Sequence, residues 1–380
     1  MLLKGISERT LLRWIGIWLT SRIILFSLLI VSSWLGGVDA DVRHQSFVRW
    51  VLFRFTHFDS HLYAAVAERG YMPDGPGSNY NAFFPGLPAI MRAWSEVTGS
   101  DPRWGGFIAV FITGTLAAVL LGALAEDISG SADVATWAVV LFACSPLTVF
   151  LSAVYTEAIF ICLGVSAWLS GRNGRWFTAG VLAGLACTVR LNGIFLVIGL
   201  AALVVVRRES GKQHGNAFGA TSLVLGPLVI AAWVVFLHHL TGHWNEWSLA
   251  QERGWNRYLT WPWVGIEDWW GKTHAADSWH LLLARLLEIA AVLLAPPITL
   301  YYFWRRNWPV AIMLGLNGMT VVFSSIFESG ARFMLVWFPV YVTAAACLQR
   351  RPRLRFLLAA GSALLALTLS YSWSRHYWVA

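Results

Sequence analysis

Long apolar stretches recur along the whole chain, and each is long enough to form a helix within a bilayer. Hydrophobic residues make up 57% of the 380 positions and charged residues 13%, which excludes an ordinary soluble globule. We therefore predict an all-α polytopic membrane protein with about eleven transmembrane helices. The predicted spans are residues 13–35, 105–125, 133–151, 154–170, 176–189, 193–206, 217–240, 282–303, 308–327, 331–348 and 354–373.

The charged residues predict how these spans are oriented. The net charge is +8, and the basic residues form short clusters between spans, such as Arg207-Arg208 and Arg305-Arg306. This pattern is typical of cytoplasmic loops and does not indicate nucleic-acid binding. It predicts one polytopic domain over residues 1–380, with a cytoplasmic N-terminus and two long extracytoplasmic loops, residues 36–104 and 241–281.

One apolar region carries two polar residues near its centre. Arg190 and Asn192 interrupt residues 176–206, and basic loops flank that region on both sides. A single helix would bury Arg190 near the middle of the bilayer at a cost of about 3 kcal/mol. Two short helices are therefore predicted, with both polar residues at the outer rim.

The run from His57 to Tyr63 contains the most informative carboxylate. Asp59 lies at a predicted membrane rim between two histidines, where a carboxylate costs free energy unless it is solvated or paired, which makes it a candidate functional residue. It is a candidate general base, although it could instead cap a helix that begins near Ser60. His57 and His61 could bind a sugar hydroxyl or a phosphate. A metal site is not supported, because no cysteine or further carboxylate stands near them.

Two arginines are candidates for binding a phosphate. A guanidinium keeps its charge and binds oxyanions through two parallel hydrogen bonds, so Arg190 and Arg332 could neutralise a lipid phosphate. Structural ion pairs with Glu157 and Glu328 are the alternative. The predicted topology places all four of these residues on the same membrane face as Asp59.

Two further segments show features of sugar binding. Glu157 could orient an acceptor sugar or the base, or could act as a helix cap or ion-pair partner. The loop from Gln251 to Tyr258 combines amide, guanidinium and aromatic groups that suit a carbohydrate, which makes Gln251 and Arg257 candidates. Anchoring at the membrane interface explains its tryptophans equally well.

Five segments of the chain form an ordered set of motifs. They are Phe58-Asp59-Ser60-His61-Leu62-Tyr63 with Gly70-Tyr71, Ala82-Phe83-Phe84-Pro85, Ser145-Pro146 through Ser152-Ala153-Val154-Tyr155-Thr156-Glu157, Arg190-Leu191-Asn192-Gly193, and Arg332-Phe333 through Phe338-Pro339. Taken in this order, they resemble the PIG-V type mannosyltransferases, also called the GPI mannosyltransferase 2 family, and their prokaryotic relatives.

The resemblance implies a GT-C fold and transfer of mannose from polyprenyl-phosphate-mannose, with inversion, to a lipid-linked or surface glycan acceptor. It implies that Asp59 is the base. Phe84, Tyr155 and Asn192, which lie within these segments, are further candidates for substrate binding. No cofactor is expected besides this donor, and a divalent metal is possible but unsupported. The expected location is a prokaryotic plasma membrane, with the active site facing outside. The membrane lipid, the donor and a glycolipid or glycan acceptor are the expected partners.

Two other functions fit the same residues. A noncatalytic subunit could bind a lipid-linked sugar for a partner enzyme. A transporter of lipid or sugar would also carry charged residues at membrane depth, although it would more often show repeated halves with broken helices.

Overall fold

A computed structural model describes residues 3, 5–73, 78–209 and 217–379. The described residues form helices and no strand, with one isolated bridge between Leu259 and Ser324. The α-helices, in chain order, are α1 Glu8–Leu35, α2 Ala40–Gln45, α3 Phe47–Phe53, α4 Asp59–Arg69, α5 Gly86–Thr98, α6 Pro102–Ser129, α7 Ala132–Ala143, α8 Glu157–Arg172, α9 Trp176–Val189, α10 Asn192–Glu209, α11 Leu225–Thr241, α12 Glu246–Trp255, α13 Pro262–His274, α14 Trp279–Trp304, α15 Trp308–Val322, α16 Gly330–Phe333, α17 Phe338–Cys347 and α18 Pro352–Ser374.

Four 3₁₀ helices complete the described secondary structure. They are Ser78–Ala82, Thr148–Leu151, Ala217–Val224 and Met334–Val336. The first lies in the predicted loop 36–104, and the second separates α7 from α8.

The apolar helices confirm an all-α polytopic membrane protein. Within the described residues, five helical segments are long and apolar enough to cross a bilayer: Glu8–Leu35, Pro102–Ser129, Gly219–Thr241, Trp279–Trp304 and Pro352–Ser374. A sixth would be the pair Gly330–Val336 and Phe338–Cys347, which is bent by 74°. Each of the eleven predicted spans contains a helix. The count of eleven crossings, the cytoplasmic N-terminus and the GT-C fold remain predictions.

The predicted break between residues 189 and 192 is confirmed. α9 ends at Val189, and Arg190 adopts an extended backbone before α10 begins at Asn192. Gly193 permits the close return of the chain, since a Cβ there would lie 2.5 Å from the backbone nitrogen of Cys187. The interruption by polar residues therefore marks a tight turn between two short helices.

The described chain divides into two compact units. Unit 1 comprises the described residues up to 61 together with 94–165 and 335–379, and unit 2 comprises the described residues within 62–93 and 166–334. The prediction of a single domain over the whole chain remains a prediction.

The core of unit 1 is built around α1, which packs against α6, α7 and α18. Trp14 and Trp18 are both buried, and Trp18 stacks on Phe142 with 5.3 Å between ring centroids. Gly122 of α6 lets the helices approach closely, because a Cβ there would lie 2.7 Å from the Trp14 ring. Small residues at such contacts allow close packing between helices in a membrane.

In unit 2 a set of apolar helices packs together, and two helices of the polar loops pack on each other. α9, α10, α11, α14 and α15 pack against their neighbours in this unit, and α12 packs on the 3₁₀ helix Ser78–Ala82. Buried Asn81 ties these loops together by donating to the carboxylate of Glu246 at 2.8 Å, while the Trp247 indole donates to Ala82 O at 3.1 Å. Two distant stretches of polar loop therefore share one hydrogen-bonded core.

Candidate active site

Asp59 is the first residue of α4 and is only 8% exposed. Phe58 before it has φ 53°, in the left-handed region that residues other than glycine seldom adopt. Such a conformation persists only where surrounding contacts enforce it, and it occurs often at functional sites. The helix therefore begins one residue earlier than the sequence suggested, at Asp59 itself.

The hydroxyl of Tyr155 holds the backbone on both sides of Phe58. It accepts a hydrogen bond from the Asp59 N–H at 3.1 Å and donates to the His57 carbonyl at 3.2 Å. Its ring is fully buried and contacts Phe150 and Trp373. Tyr155 thus fixes the position at which the Asp59 side chain leaves the backbone.

Two further hydrogen bonds join the same pair of segments. Val154 N donates to Phe55 O at 2.8 Å, and the Ser60 hydroxyl donates to Val154 O at 3.0 Å. The structure therefore brings together two of the predicted motifs, the aspartate run and the run that ends at Glu157. Glu157 is itself fully buried as the first residue of α8.

The two histidines of the aspartate run have different surroundings. His57 is 7% exposed, and its ring lies 4.2 Å from that of His376 and 5.4 Å from that of Trp373, between centroids. Burial, together with nearby His376 and Arg54, holds the pKa of His57 well below its usual 6.5. His61, two residues into α4, is exposed.

A polar cluster that sequence reasoning missed lies around His57. Asp39 binds the fully buried Arg54, and His376 Nε2 lies 3.4 Å from the Asp39 carboxylate. The Trp373 indole donates to Arg54 O at 2.9 Å. These partners are up to 337 positions apart in the sequence, so no local pattern indicates them.

Arg22 was also missed. It lies in the middle of the spanning helix α1, is 2% exposed, and donates hydrogen bonds to Ala143, Thr148 and Ser152 of the chain between α7 and α8. An arginine within an apolar span is a signal that the sequence does contain.

Within the described residues no group of three or more His, Cys, Asp or Glu side chains could hold a metal ion. The described histidines and carboxylates therefore offer no metal site of that kind.

A cavity in unit 2 collects three of the predicted binding residues. Asn192, Gln251 and Arg257 line it, and its volume is about 290 Å³. Most of the remaining lining is apolar or aromatic, namely Leu191, Phe195, Trp247, Tyr258, Leu259, Phe323 and Phe333. The hydroxyl-bearing residues Ser248, Thr320 and Ser324 complete it. Few polar groups in a mainly apolar cavity are typical of a small-molecule site.

Three arginines surround Phe333 at this cavity. The guanidinium carbons of Arg190, Arg257 and Arg332 lie 5.3, 5.4 and 5.9 Å from the centroid of its ring. Arg190 and Arg332 are 8% and 7% exposed. The face of an aromatic ring stabilises each of these cations.

The loop that carries Arg257 is fixed against the chain after α15. Tyr258 N donates to the Ser325 hydroxyl at 2.9 Å, and Ser325 N donates to Tyr258 O at 3.0 Å. Arg257 donates to the backbone carbonyl of Glu328. The sequence offered Arg257 as a sugar contact, and the structure adds it to the two arginines predicted to bind phosphate.

Arg190 and Glu328, two residues of the predicted ion pairs, have several polar neighbours in the structure. Arg190 Nε donates to the Asn192 side chain at 3.4 Å. The Glu328 carboxylate binds Lys272 at 3.0 Å and Arg285 at 3.2 Å. Burial raises the pKa of Glu328, but these two cations outweigh it and hold that pKa below its usual 4.5. Glu328 thus has a lysine and an arginine as ion-pair partners.

Phe84, the remaining predicted residue, lies elsewhere in unit 2. It lines an apolar cavity of about 370 Å³ together with Tyr71 and Trp233. Its ring centroid is 5.9 Å from that of Trp233, within a buried cluster that includes Leu237. Phe84 therefore contributes to packing, and its contact with substrate stays a prediction.

Part of this chain is similar to proteins that are already known. Residues 40–208 match the family described as mannosyltransferase (PIG-V). This part of the chain is therefore similar to the PIG-V mannosyltransferases. It contains Asp59, Tyr155, Glu157, Arg190 and Asn192, so the PIG-V segment includes the hydrogen-bonded Asp59 region of unit 1.

Curated relatives are also named as mannosyltransferases. The chain is 33% identical over 159 residues to "GPI alpha-1,6-mannosyltransferase 2" of Cricetulus griseus and of Homo sapiens, which covers 40% of this chain and 31% of each relative. It is 26% identical over 213 residues to "GPI mannosyltransferase 2" of Yarrowia lipolytica, covering 55% of each chain. The matches thus span about a third to a half of the PIG-V relatives' own length.

Proposed function

We propose that this protein is a membrane mannosyltransferase. It transfers mannose from a polyprenyl-phosphate-linked donor to a hydroxyl group of a glycan or glycolipid on the extracytoplasmic side. The observation that carries this proposal is Asp59, a buried carboxylate whose backbone is held by Tyr155 within the PIG-V segment. A residue in the left-handed region that is held by a buried tyrosine is a feature found often at functional sites.

In the proposed reaction Asp59 acts as the general base. The acceptor O–H gives its proton to the Asp59 carboxylate while the acceptor oxygen attacks the anomeric carbon of mannose. The bond from that carbon to the phosphate oxygen breaks, and polyprenyl phosphate leaves with the electron pair. Attack on the face opposite the leaving group inverts the anomeric configuration, as in inverting sugar chemistry.

Positive charge is what a phosphate leaving group needs most, because its own oxygens already carry negative charge. We assign this role to the cluster of Arg190, Arg257 and Arg332 around Phe333. Its support is the mainly apolar cavity beside it, which suits a lipid-linked anion better than a soluble one.

The first test measures transfer of radiolabelled mannose from polyprenyl-phosphate-mannose to lipid extract by the purified protein. Asp59→Asn is compared with Asp101→Asn, the same substitution in the same unit at a helix N-cap, where Asn also caps well. We expect near-complete loss of transfer in Asp59→Asn and activity close to wild type in Asp101→Asn. Equal activity of both variants would remove Asp59 as the base.

The same assay separates the other candidate functions. No transfer by the wild-type protein would favour a noncatalytic subunit or a transporter, or a different donor sugar. Transfer by the purified chain alone excludes the need for a partner enzyme.

The arginine cluster has its own test. Arg257→Gln should raise the KM for the lipid-linked donor about ten- to a hundredfold, which corresponds to losing hydrogen bonds to a charged group worth about 1.5 to 3 kcal/mol. The control is Arg69→Gln, an exposed arginine of the same unit at the end of α4. Equal KM values for the two variants would contradict phosphate binding by Arg257.

A further inference from the structure

Arg22 lies in the interior of the spanning helix α1, and all its donor groups make hydrogen bonds. It is 2% exposed, and its guanidinium carbon lies 4.1 Å from the ring centroid of Trp18. Nη1 donates to Thr148 O at 3.0 Å and to the Ser152 hydroxyl at 2.7 Å. Nη2 donates to Ala143 O at 3.0 Å and to the Thr148 hydroxyl at 2.6 Å, and Nε lies 3.2 Å from the Ser21 hydroxyl. All five N–H groups of the side chain therefore have an acceptor.

These acceptors are carbonyls and hydroxyls, and none is a carboxylate. A charge within a membrane-spanning segment costs about 3 kcal/mol or more, which hydrogen bonds to buried carbonyls and hydroxyls offset. Packing α1 against its neighbours does not require such a charge, because Trp14 and Trp18 already fill that interface. The guanidinium therefore contributes through its contacts with the segment that supplies these acceptors.

Apart from Ser21, the acceptors all belong to one segment of chain. Ala143 is the last residue of α7, and Thr148 is the first residue of the 3₁₀ helix that precedes Ser152. A cation at the end of a helix also interacts favourably with its exposed carbonyls. Arg22 thus fixes the shape of the chain as it turns from α7 toward α8.

That segment continues directly into the residues that hold Asp59. Val154, two positions after Ser152, bonds to Phe55 and Ser60. Tyr155 comes next, and its hydroxyl accepts the Asp59 N–H. The α1 guanidinium is therefore linked to the backbone of Asp59 by hydrogen bonds at Ser152 and Tyr155 and by the covalent chain between those two residues.

We propose that Arg22 is a positioning residue for Asp59, acting through residues 143–155. The inference rests on the proposed function, since it takes Asp59 as the base. Arg22 itself makes no contact with substrate in this proposal. It fixes the position of residues 152–155, and the hydrogen bond from the Asp59 N–H to Tyr155 then fixes the position of the carboxylate.

The fork shape of the guanidinium is the property that matters. Its donors point in two directions and bridge the end of α7 to the 3₁₀ helix. A lysine would keep the charge but would donate from a single nitrogen. Arg22→Lys is therefore the informative substitution, because it preserves the charge and removes the bridge.

The first measurement is a double-mutant cycle on mannose transfer with Arg22→Lys, Tyr155→Phe and the double variant. We expect Arg22→Lys to lower kcat about tenfold while the donor KM stays within about twofold, since misplaced catalytic groups affect the chemical step. Because both residues act along one series of contacts, the double variant should fall less than about threefold below the poorer single variant. Wild-type kcat in Arg22→Lys, or losses that simply multiply, would overturn the proposal.

A matched control separates this effect from general destabilisation. Arg355 is another buried arginine of unit 1, and it makes a bidentate ion pair with Asp133. Arg355→Lys should leave kcat close to wild type, and its effect should multiply with that of Tyr155→Phe. A kcat loss in Arg355→Lys equal to that in Arg22→Lys would also overturn the proposal.

The second measurement does not depend on activity. Amide hydrogen exchange of residues 57–61 reports on the bond from Asp59 N–H to Tyr155, and Arg22→Lys should speed that exchange severalfold compared with Arg355→Lys. Unchanged exchange at these residues would refute the proposal, even if α1 itself exchanges faster. If the wild type transfers no mannose, the proposed function fails while this measurement still decides the structural link.

A milder variant covers the case in which Arg22→Lys does not fold. Ser152→Ala removes one acceptor of Arg22 and keeps the buried charge. It should show the same two effects to a smaller extent, a lower kcat and faster exchange of residues 57–61. Wild-type behaviour in both measurements would refute the proposal.

Discussion

Replacing Tyr155 by Phe removes a single hydroxyl next to the proposed base. The ring should stay in place, because it packs against Phe150 at 4.9 Å and Trp373 at 5.9 Å between centroids. What is lost is one hydrogen bond from Asp59 N at 3.1 Å and one to His57 O at 3.2 Å. The substitution thus tests the polar contribution of Tyr155 separately from its packing.

The expected cost follows from those two bonds. Each neutral hydrogen bond contributes about 1 kcal/mol, and a buried backbone group left without a partner costs about 1 to 3 kcal/mol. Asp59 and His57 are 8% and 7% exposed, so water does not readily replace the hydroxyl. We expect a loss of about 2 kcal/mol in the free energy of unfolding. Transfer should fall about ten- to a hundredfold, because the backbone that carries the base is released.

The assay combines thermal unfolding of the purified protein with kcat and KM for mannose transfer. Tyr371→Phe is the control, since this tyrosine is 41% exposed on α18 of the same unit. A Tyr155→Phe variant with the unfolding temperature and kcat of Tyr371→Phe would refute the argument. It would mean that the hydroxyl bridge does not position Asp59.

Two further predictions concern stability. His57 is held neutral in the folded state and binds a proton in the unfolded state near its usual pKa of 6.5, so stability present above that pH should be lost as pH falls below it. Thermal unfolding between pH 7.5 and pH 5.5 (roughly one unit either side of that value) checks this, and His57→Gln should flatten the dependence. Gly122→Ala should lower the unfolding temperature, because its Cβ would lie 2.7 Å from the Trp14 ring and such overpacking costs about 1 to 3 kcal/mol. Gly16→Ala, with nothing within 4 Å, should be neutral or stabilising, and equal effects of the two alanines would contradict the packing argument.

The membrane class and the break at Arg190 could be predicted because both depend on local sequence. Hydropathy over a window the length of a span decides whether a segment enters the bilayer, and a charge in that window decides where the segment breaks. Each predicted span does contain a helix. The number of membrane crossings cannot be predicted in the same way, since helices such as α7 and α9 are shorter than a helix that crosses a bilayer.

Arg22 shows where that reasoning fails. Averaged over its window, α1 is strongly apolar, with a mean hydropathy of 2.0, so one arginine does not change the prediction of a span. The same residue considered alone would have been a candidate, because hydrocarbon does not tolerate an isolated charge. Its acceptors, from Ala143 to Ser152, are more than 120 positions away and could not have been named.

The sequence by itself determined that this chain is helical and membrane-embedded and that Arg190 and Asn192 lie at a turn, and it singled out Asp59 as a candidate base. These properties depend on composition and on neighbours within a few positions. Only the tertiary structure decided that Tyr155 bonds to the backbone of Asp59, that Arg22 supports that segment, and that Arg257 joins Arg190 and Arg332 around Phe333. The physical reason is that hydrogen bonds and cation contacts act over a few ångströms. Packing alone brings residues that are far apart in the sequence within that range.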